Sequence, residues 1–182
     1  MTQNTSTAVM QRRHEPHDSL DYFPTQPWAT RALCEYLTQI DQMLRTKRAW
    51  EPACGEGHMT RALAEYFELV YGSDVAPYGH GAVRDFLFPG DEPVFDWIIT
   101  NPPFRLADQF VHTAIDRARE GVAVLVRSAF LEGKGRYTDL FSKRKPHAIL
   151  QFTERVAMVK GRVDGDASSA TAYSWVVWRC RP

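Results

Sequence analysis

Seven residues, Glu51-Pro52-Ala53-Cys54-Gly55-Glu56-Gly57, constrain the fold of this chain more than any other stretch. The apolar pair Ala49-Trp50 leads in, and Met59, Ala62, Leu63, Tyr66 and Phe67 lead out at helical spacing. The pattern predicts a strand, a tight glycine turn and a helix. Gly55 and Gly57 carry no Cβ, so the backbone can take positive φ and let a ligand lie directly against it. The N–H groups that open the helix face the same place. The turn carries Glu51 and Glu56 and no lysine, which disfavours a polyphosphate and suits a cationic or hydroxyl-rich ligand. Glycines at strand-to-helix turns also serve packing alone, so the turn by itself leaves both readings open.

Two features downstream favour the ligand. Asp74 follows the apolar run Leu69–Ser73, 17 residues beyond Gly57. An acid at that offset and at a strand end is placed to accept from ribose hydroxyls. A third strand, Phe95–Thr100, then runs into Asn101-Pro102-Pro103-Phe104. An exocyclic amine is a poor nucleophile because its lone pair is delocalised into the ring. Two acceptors facing its hydrogens favour the geometry that localises that pair. The Asn101 side-chain oxygen and the Pro102 carbonyl supply such acceptors, the second proline stiffens the turn, and Phe104 offers a stacking face. A rigid turn after a buried strand is the plainer alternative.

The order of Glu51–Gly57, Asp74, Asp85-Phe86 and Asn101–Phe104 resembles the class I S-adenosylmethionine-dependent methyltransferases. The tetrapeptide is most similar to that of the N6-adenine DNA enzymes. The resemblance covers about residues 20 to 130 and implies an α/β, Rossmann-like fold. It would have a mostly parallel seven-stranded sheet, helices on both faces and an antiparallel C-terminal strand. It further implies S-adenosyl-L-methionine as cofactor, held by Phe23, Pro24, Thr25, Glu51, Pro52, Ala53, Cys54, Gly55, Gly57, Asp74, Val75, Asp85, Phe86 and Asn101. Within that set Asp85 accepts from the adenine amine, Phe86 lies near its ring, and Phe23–Thr25 close over the methionine end. Asn101, Pro102, Pro103 and Phe104 are the catalytic residues it implies. The expected reaction is methyl transfer to adenine N6 in DNA. RNA-base and protein-glutamine methylation are the alternatives, as is a catalytically silent binding module of the same fold. Intact Glu51, Asp74 and Asn101 weigh against the silent module.

Charge is distributed in keeping with two unlike ligands. Residues 1–104 hold 8 Lys/Arg and 14 Asp/Glu, net −6, whereas residues 105–182 hold 14 and 8, net +6. An acidic half around the turn suits a cationic sulfonium, and a basic half suits a polyanion. Lys134, Arg136, Lys143 and Arg144 lie in stretches where glycine, basic and aromatic residues interleave, and are expected to contact a nucleic-acid backbone. Solvated loops are the alternative there. Cys34, Cys54 and Cys180 are widely spaced and form no CxxC pair, so no metal is expected and a reducing, cytoplasmic setting is the default. No apolar stretch reaches membrane-spanning length, and no membrane partner is expected.

Residues 1–19 lack periodicity and are expected to form a disordered arm, with residues 20–182 as one methyltransferase domain. Pro27 opens a helix with Leu33, Tyr36, Leu37, Ile40 and Met43 on one face and Thr25 as candidate N-cap. After Phe104 a further helix carries Leu106, Phe110, Val111, Ala114 and Ile115 on one face and Asp108, Arg117 and Arg119 elsewhere, and is ended by Gly121. Val122–Val126 is a buried strand, and Ala148–Phe152 and Ala172–Trp178 form an antiparallel pair. Residues 160–166 are expected to form a mobile loop. Only 78 residues follow Phe104, so no separate target-recognition domain is expected.

Overall fold

A computed structural model describes residues 21–88, 90–167 and 169–180; the expected N-terminal arm lies outside them. The seven strands are β1 (Arg48–Glu51), β2 (Leu69–Asp74), β3 (Ala82–Val83), β4 (Trp97–Thr100), β5 (Gly121–Arg127), β6 (Ala148–Gln151) and β7 (Tyr173–Arg179). They form one sheet in the order β3-β2-β1-β4-β5-β7-β6. The first five strands run parallel, β7 pairs antiparallel with β5, and β6 pairs antiparallel with β7. This is the Rossmann-like sheet expected, including its antiparallel end.

Period-two alternation divides the strand side chains between two cores. Ala49, Trp97, Ile99, Ala123, Leu125, Trp175 and Val177 face one side, with helices α1 (Pro27–Ile40) and α2 (His58–Leu63). Trp50, Ile98, Val122, Val124, Val126, Val176 and Trp178 face the other, with helix α3 (Ala107–Arg117). Because both faces are covered, β5 and β7 are apolar along nearly their whole length rather than alternating with polar residues. Burying each of the large side chains Trp50, Trp97 and Trp175 contributes about 1.5–3 kcal/mol from area alone. Two of these indoles are also satisfied: Trp175 Nε1 donates to the Ala29 carbonyl at 2.9 Å and Trp50 Nε1 to Ser73 Oγ at 2.9 Å.

Several sequence expectations need correction. Pro27 does open α1, yet Thr25 is not its cap; Gln26 precedes the helix and no side chain caps it. Met43 lies beyond α1 and is 58% exposed. Helix α2 stops at Leu63, before Tyr66 and Phe67. Helix α3 stops at Arg117, and Gly121 instead opens β5 with the Trp97 ring packed against it. The glycine-basic stretch after Gly133 is helical rather than a loop, running through Lys134–Arg136 and a wider π turn over Tyr137–Phe141. Residues 160–166 form a loop, as expected, and it bonds to the segment before α1: Gly161 N donates to the Tyr22 carbonyl at 3.0 Å, and Gln26 Nε2 to the Asp164 carbonyl at 2.8 Å. Local periodicity carries no information about such distant bonds.

Candidate active site

The strand order reverses between β1 and β4, and a crevice at the carboxyl ends of strands is where open α/β sheets bind ligands. The glycine turn leaves β1 there. Gly55 and Gly57 both take left-handed backbone, at φ 49° and 81°. Bonds from Cys54 N to the Ser73 carbonyl (2.9 Å) and from Gly55 N to Asp74 Oδ2 (2.9 Å) clamp the turn to the end of β2. The space against these glycines is filled from within the chain. A Cβ at Gly55 would lie 2.2 Å from the Tyr22 ring, and one at Gly57 would lie 2.3 Å from the His80 ring. The side of each glycine on which a Cβ would stand is thus taken by an aromatic ring, and only glycine fits there.

Beside the turn is a cleft. Phe23, Pro24, Thr25, Glu51, Pro52, Ala53, Cys54, Asp74, Val75, Asp85, Phe86 and Asn101 all line it, so every expected cofactor residue except Gly55 and Gly57 does. Asp21, Tyr22, His58, Tyr78, Leu106 and Phe110 line it as well, and sequence reasoning missed them. Tyr22 and Tyr78 stack with ring centroids 4.5 Å apart. The cleft holds the carboxyls of Asp21, Glu51, Asp74 and Asp85 and, among the described residues, no lysine or arginine.

Glu51 is the most deeply buried of these acids. Its side chain is 2% exposed, Oε2 has no partner, and burial together with the neighbouring Asp74 charge pushes its carboxyl well above the ordinary range. Burial also raises Asp74, although main-chain N–H groups counter it; Gly55 N donates to Oδ2 and Ala76 N to Oδ1 at 3.1 Å. The Cys54 thiol is pushed up to about 12 by burial and by both acids. Asp85 Oδ1 accepts from Leu87 N at 2.9 Å. Phe86 is 1% exposed, its ring packed edge-on against Trp50.

Asn101 follows β4 at the floor of the cleft. Its Nδ2 donates to the Phe23 carbonyl at 2.7 Å, while Oδ1 is buried without a partner. Phe104 N donates to Asp21 Oδ2 at 2.8 Å. Thus the segment before α1 grips both ends of the tetrapeptide. Pro103 lines the cleft and Pro102 is buried. The Phe104 ring packs against Phe23 and Tyr173, with centroids 5.3 and 6.1 Å away. The Arg127 guanidinium lies over it, 4.0 Å from its centroid. Arg127 had one sequence signal: a charge ending an otherwise apolar buried strand.

The four basic residues expected at a nucleic-acid backbone differ in their freedom. Lys134 and Lys143 are exposed. Arg136 makes two bonds to Asp108 at 2.8 and 3.0 Å, donates to the Phe130 carbonyl at 2.8 Å, and stacks over the Phe130 ring. Arg144 pairs with Asp116 at 2.7 Å. Both arginines are thus anchored to α3. Among the described residues no cluster of three His, Cys, Asp or Glu is placed to hold a metal, and no helix is long and apolar enough to cross a membrane.

No protein-family model matches the chain. A type II methyltransferase of Thermus thermophilus, M.TthHB8I, is 28% identical over 115 residues, which cover 58% of this chain and 27% of that protein. The chain thus spans about a quarter of that relative's length. A solved structure from Listeria monocytogenes, assigned to the class I S-adenosylmethionine-dependent methyltransferases, superposes with a TM-score of 0.67 at 12% identity over 93% of this chain and 63% of its own. The methyltransferase subunit of a type I restriction-modification system from Streptococcus thermophilus superposes with a TM-score of 0.64 at 11% identity, over 88% and 45%. In strand order, in the place of its cleft and in these likenesses, the chain has the class I S-adenosylmethionine-dependent methyltransferase fold.

Proposed function

We propose that the protein transfers a methyl group from S-adenosyl-L-methionine to an exocyclic amine, N6 of adenine in DNA. The observation that carries this reading is Asn101. Its amide nitrogen is committed to the Phe23 carbonyl, so its oxygen, buried and unpartnered, is left as a free acceptor on a residue that lines the cleft. A free acceptor fixed in orientation suits an amine that must localise its lone pair, and the Pro102 carbonyl supplies the second acceptor. Proline after Asn101 stiffens the backbone and limits reorganisation during the reaction.

The residues of the cleft fit the cofactor. The orphan oxygen of buried Glu51 suits an ammonium group, and the Asp74 oxygens keep lone pairs for ribose hydroxyls beyond the two main-chain bonds they accept. With Asp85 and Asp21 they give a ligand cation an acidic surround. S-adenosylmethionine held there supplies a methyl group on a cationic sulfur that departs as a neutral thioether. Asn101 and Pro102 hold the amine in line, and a proton leaves the methylated nitrogen for solvent. Positioning accounts for most of the catalysis, and no strong general base is needed.

DNA is favoured as substrate by the likeness to a type II methyltransferase and to a restriction-modification subunit, and by the +6 charge of residues 105–182. Incubation with methyl-labelled cofactor and separate DNA, RNA and protein substrates tests the reading. Label recovered as N6-methyladenine in DNA supports it. Label only in RNA or on protein glutamine overturns the substrate, and cofactor binding with no transfer to any of the three leaves a silent binding module.

A further inference from the structure

Arg127 ends β5 on the same edge of the sheet as the tetrapeptide, because Thr100 of β4 pairs in register with Val124 of β5. Across the antiparallel pair it faces Tyr173, whose ring also packs against Phe104. These two constraints bring its guanidinium over the Phe104 ring at 4.0 Å. The side chain is exposed, and among the described residues it makes no ion pair, whereas Arg136 and Arg144 are held by Asp108 and Asp116.

A planar guanidinium on an aromatic face fills the space that a flat heterocycle takes when it stacks there. One face of Phe104 cannot carry both. Arg127 can leave that face without breaking an ion pair. The cleft beside it is lined by acidic residues, Asp21, Asp74 and Asp85 besides buried Glu51, and by no lysine or arginine among the described residues, so a polyanion drawn to Phe104 meets repulsion unless a cation stands at the entrance.

We propose that Arg127 is a positioning residue for a nucleic-acid substrate: its guanidinium covers Phe104 in the absence of a base and exchanges to a phosphate flanking the target when the base takes that face. The inference rests on the amine-methylation reading above and names the group that receives the substrate backbone. The exchange conserves charge, makes no covalent bond and leaves Phe104 free as the base enters.

The test compares the unmutated protein, Arg127→Ala and Arg127→Lys, binding two oligonucleotides at 50 to 200 mM salt, one with the target adenine and one abasic at that position. On the adenine strand Arg127→Ala should lose about one unit of salt slope, so its affinity deficit shrinks about 3.5-fold across that salt range. Arg127→Lys should keep the slope. On the abasic strand all three should share one slope, since nothing displaces the guanidinium. Cofactor binding should be equal throughout, which a general folding defect would not leave intact. An unchanged slope for Arg127→Ala on the adenine strand overturns the proposal, as does an equal loss on both strands. If the unmutated protein methylates DNA and Arg127→Ala keeps its slope, only the role of Arg127 fails. If the unmutated protein binds cofactor and methylates no nucleic acid, the underlying reading fails with it.

Discussion

Asn101 Nδ2 donates to the main-chain carbonyl of Phe23 at 2.7 Å, across 78 residues of sequence. The bond fixes which way the amide points, because only its nitrogen can donate to a carbonyl. It also ties the end of β4 to the segment before α1.

Asn101→Ala removes the free acceptor. Single-turnover methyl transfer should fall about 10²–10³-fold, by analogy with loss of one preorganised donor at an oxyanion. Cofactor affinity, measured by calorimetry, should change far less. Transfer at the unmutated rate with cofactor still bound would remove Asn101 from the mechanism.

Glu51 links the site to pH. Its folded-state carboxyl is raised by burial and by the Asp74 charge, so it favours the protonated form that the fold can bury without a partner. The stability this contributes is present below the ordinary carboxylate range and is lost as pH rises through the elevated folded value. The ligand-free protein should therefore melt at progressively lower temperature as pH climbs through that window. Glu51→Gln should flatten the dependence, while weakening a cationic cofactor that needs the ionised carboxylate. Melting curves for both proteins across that pH range check the sign; identical dependence would clear Glu51 of the effect.

Tyr22 and Gly55 should behave as a pair. Gly55→Ala places a Cβ 2.2 Å from the Tyr22 ring at φ 49°, and the left-handed backbone alone costs about 1–2 kcal/mol. Both melting temperature and cofactor affinity should drop. Adding Tyr22→Ala should recover part of the loss, leaving the double variant less impaired than the sum of the singles. Strict additivity would mean that the ring does not press on the turn.

Arg136 is predicted to matter for stability and not for nucleic acid. Its contacts with Asp108 and the Phe130 carbonyl are partly exposed, so the ion pair is discounted for screening and Arg136→Ala should cost about 1–2 kcal/mol in urea unfolding. The salt slope of DNA binding should stay as it was. Lys134→Ala with Lys143→Ala should instead flatten that slope if these exposed lysines meet phosphates. A flattened slope for Arg136→Ala alone would return it to the substrate surface.

The family resemblance implied the parallel run of the sheet and its antiparallel end, and the strands were legible in the sequence through apolar runs and turn residues. So were the strand–turn–helix at Glu51–Gly57, the acid ending β2 and the tetrapeptide after β4. Each is a local pattern legible within a few residues, and the strand order then brings twelve of the expected cofactor residues, from five separate stretches, to line one cleft. Helix ends were less legible. Tyr66 and Phe67 kept the helical spacing after the helix had ended, and their burial came from the tertiary core.

Only the tertiary structure decided what covers the site. Tyr22 rests on Gly55, Asp21 accepts from Phe104 N, Phe23 orients Asn101, and Arg127 stacks on Phe104. It also paired Arg136 with Asp108 and Arg144 with Asp116 of α3. Sequence spacing specifies which face of its own element a side chain occupies. Which distant carbonyl, carboxylate or ring meets that face depends on how the layers pack.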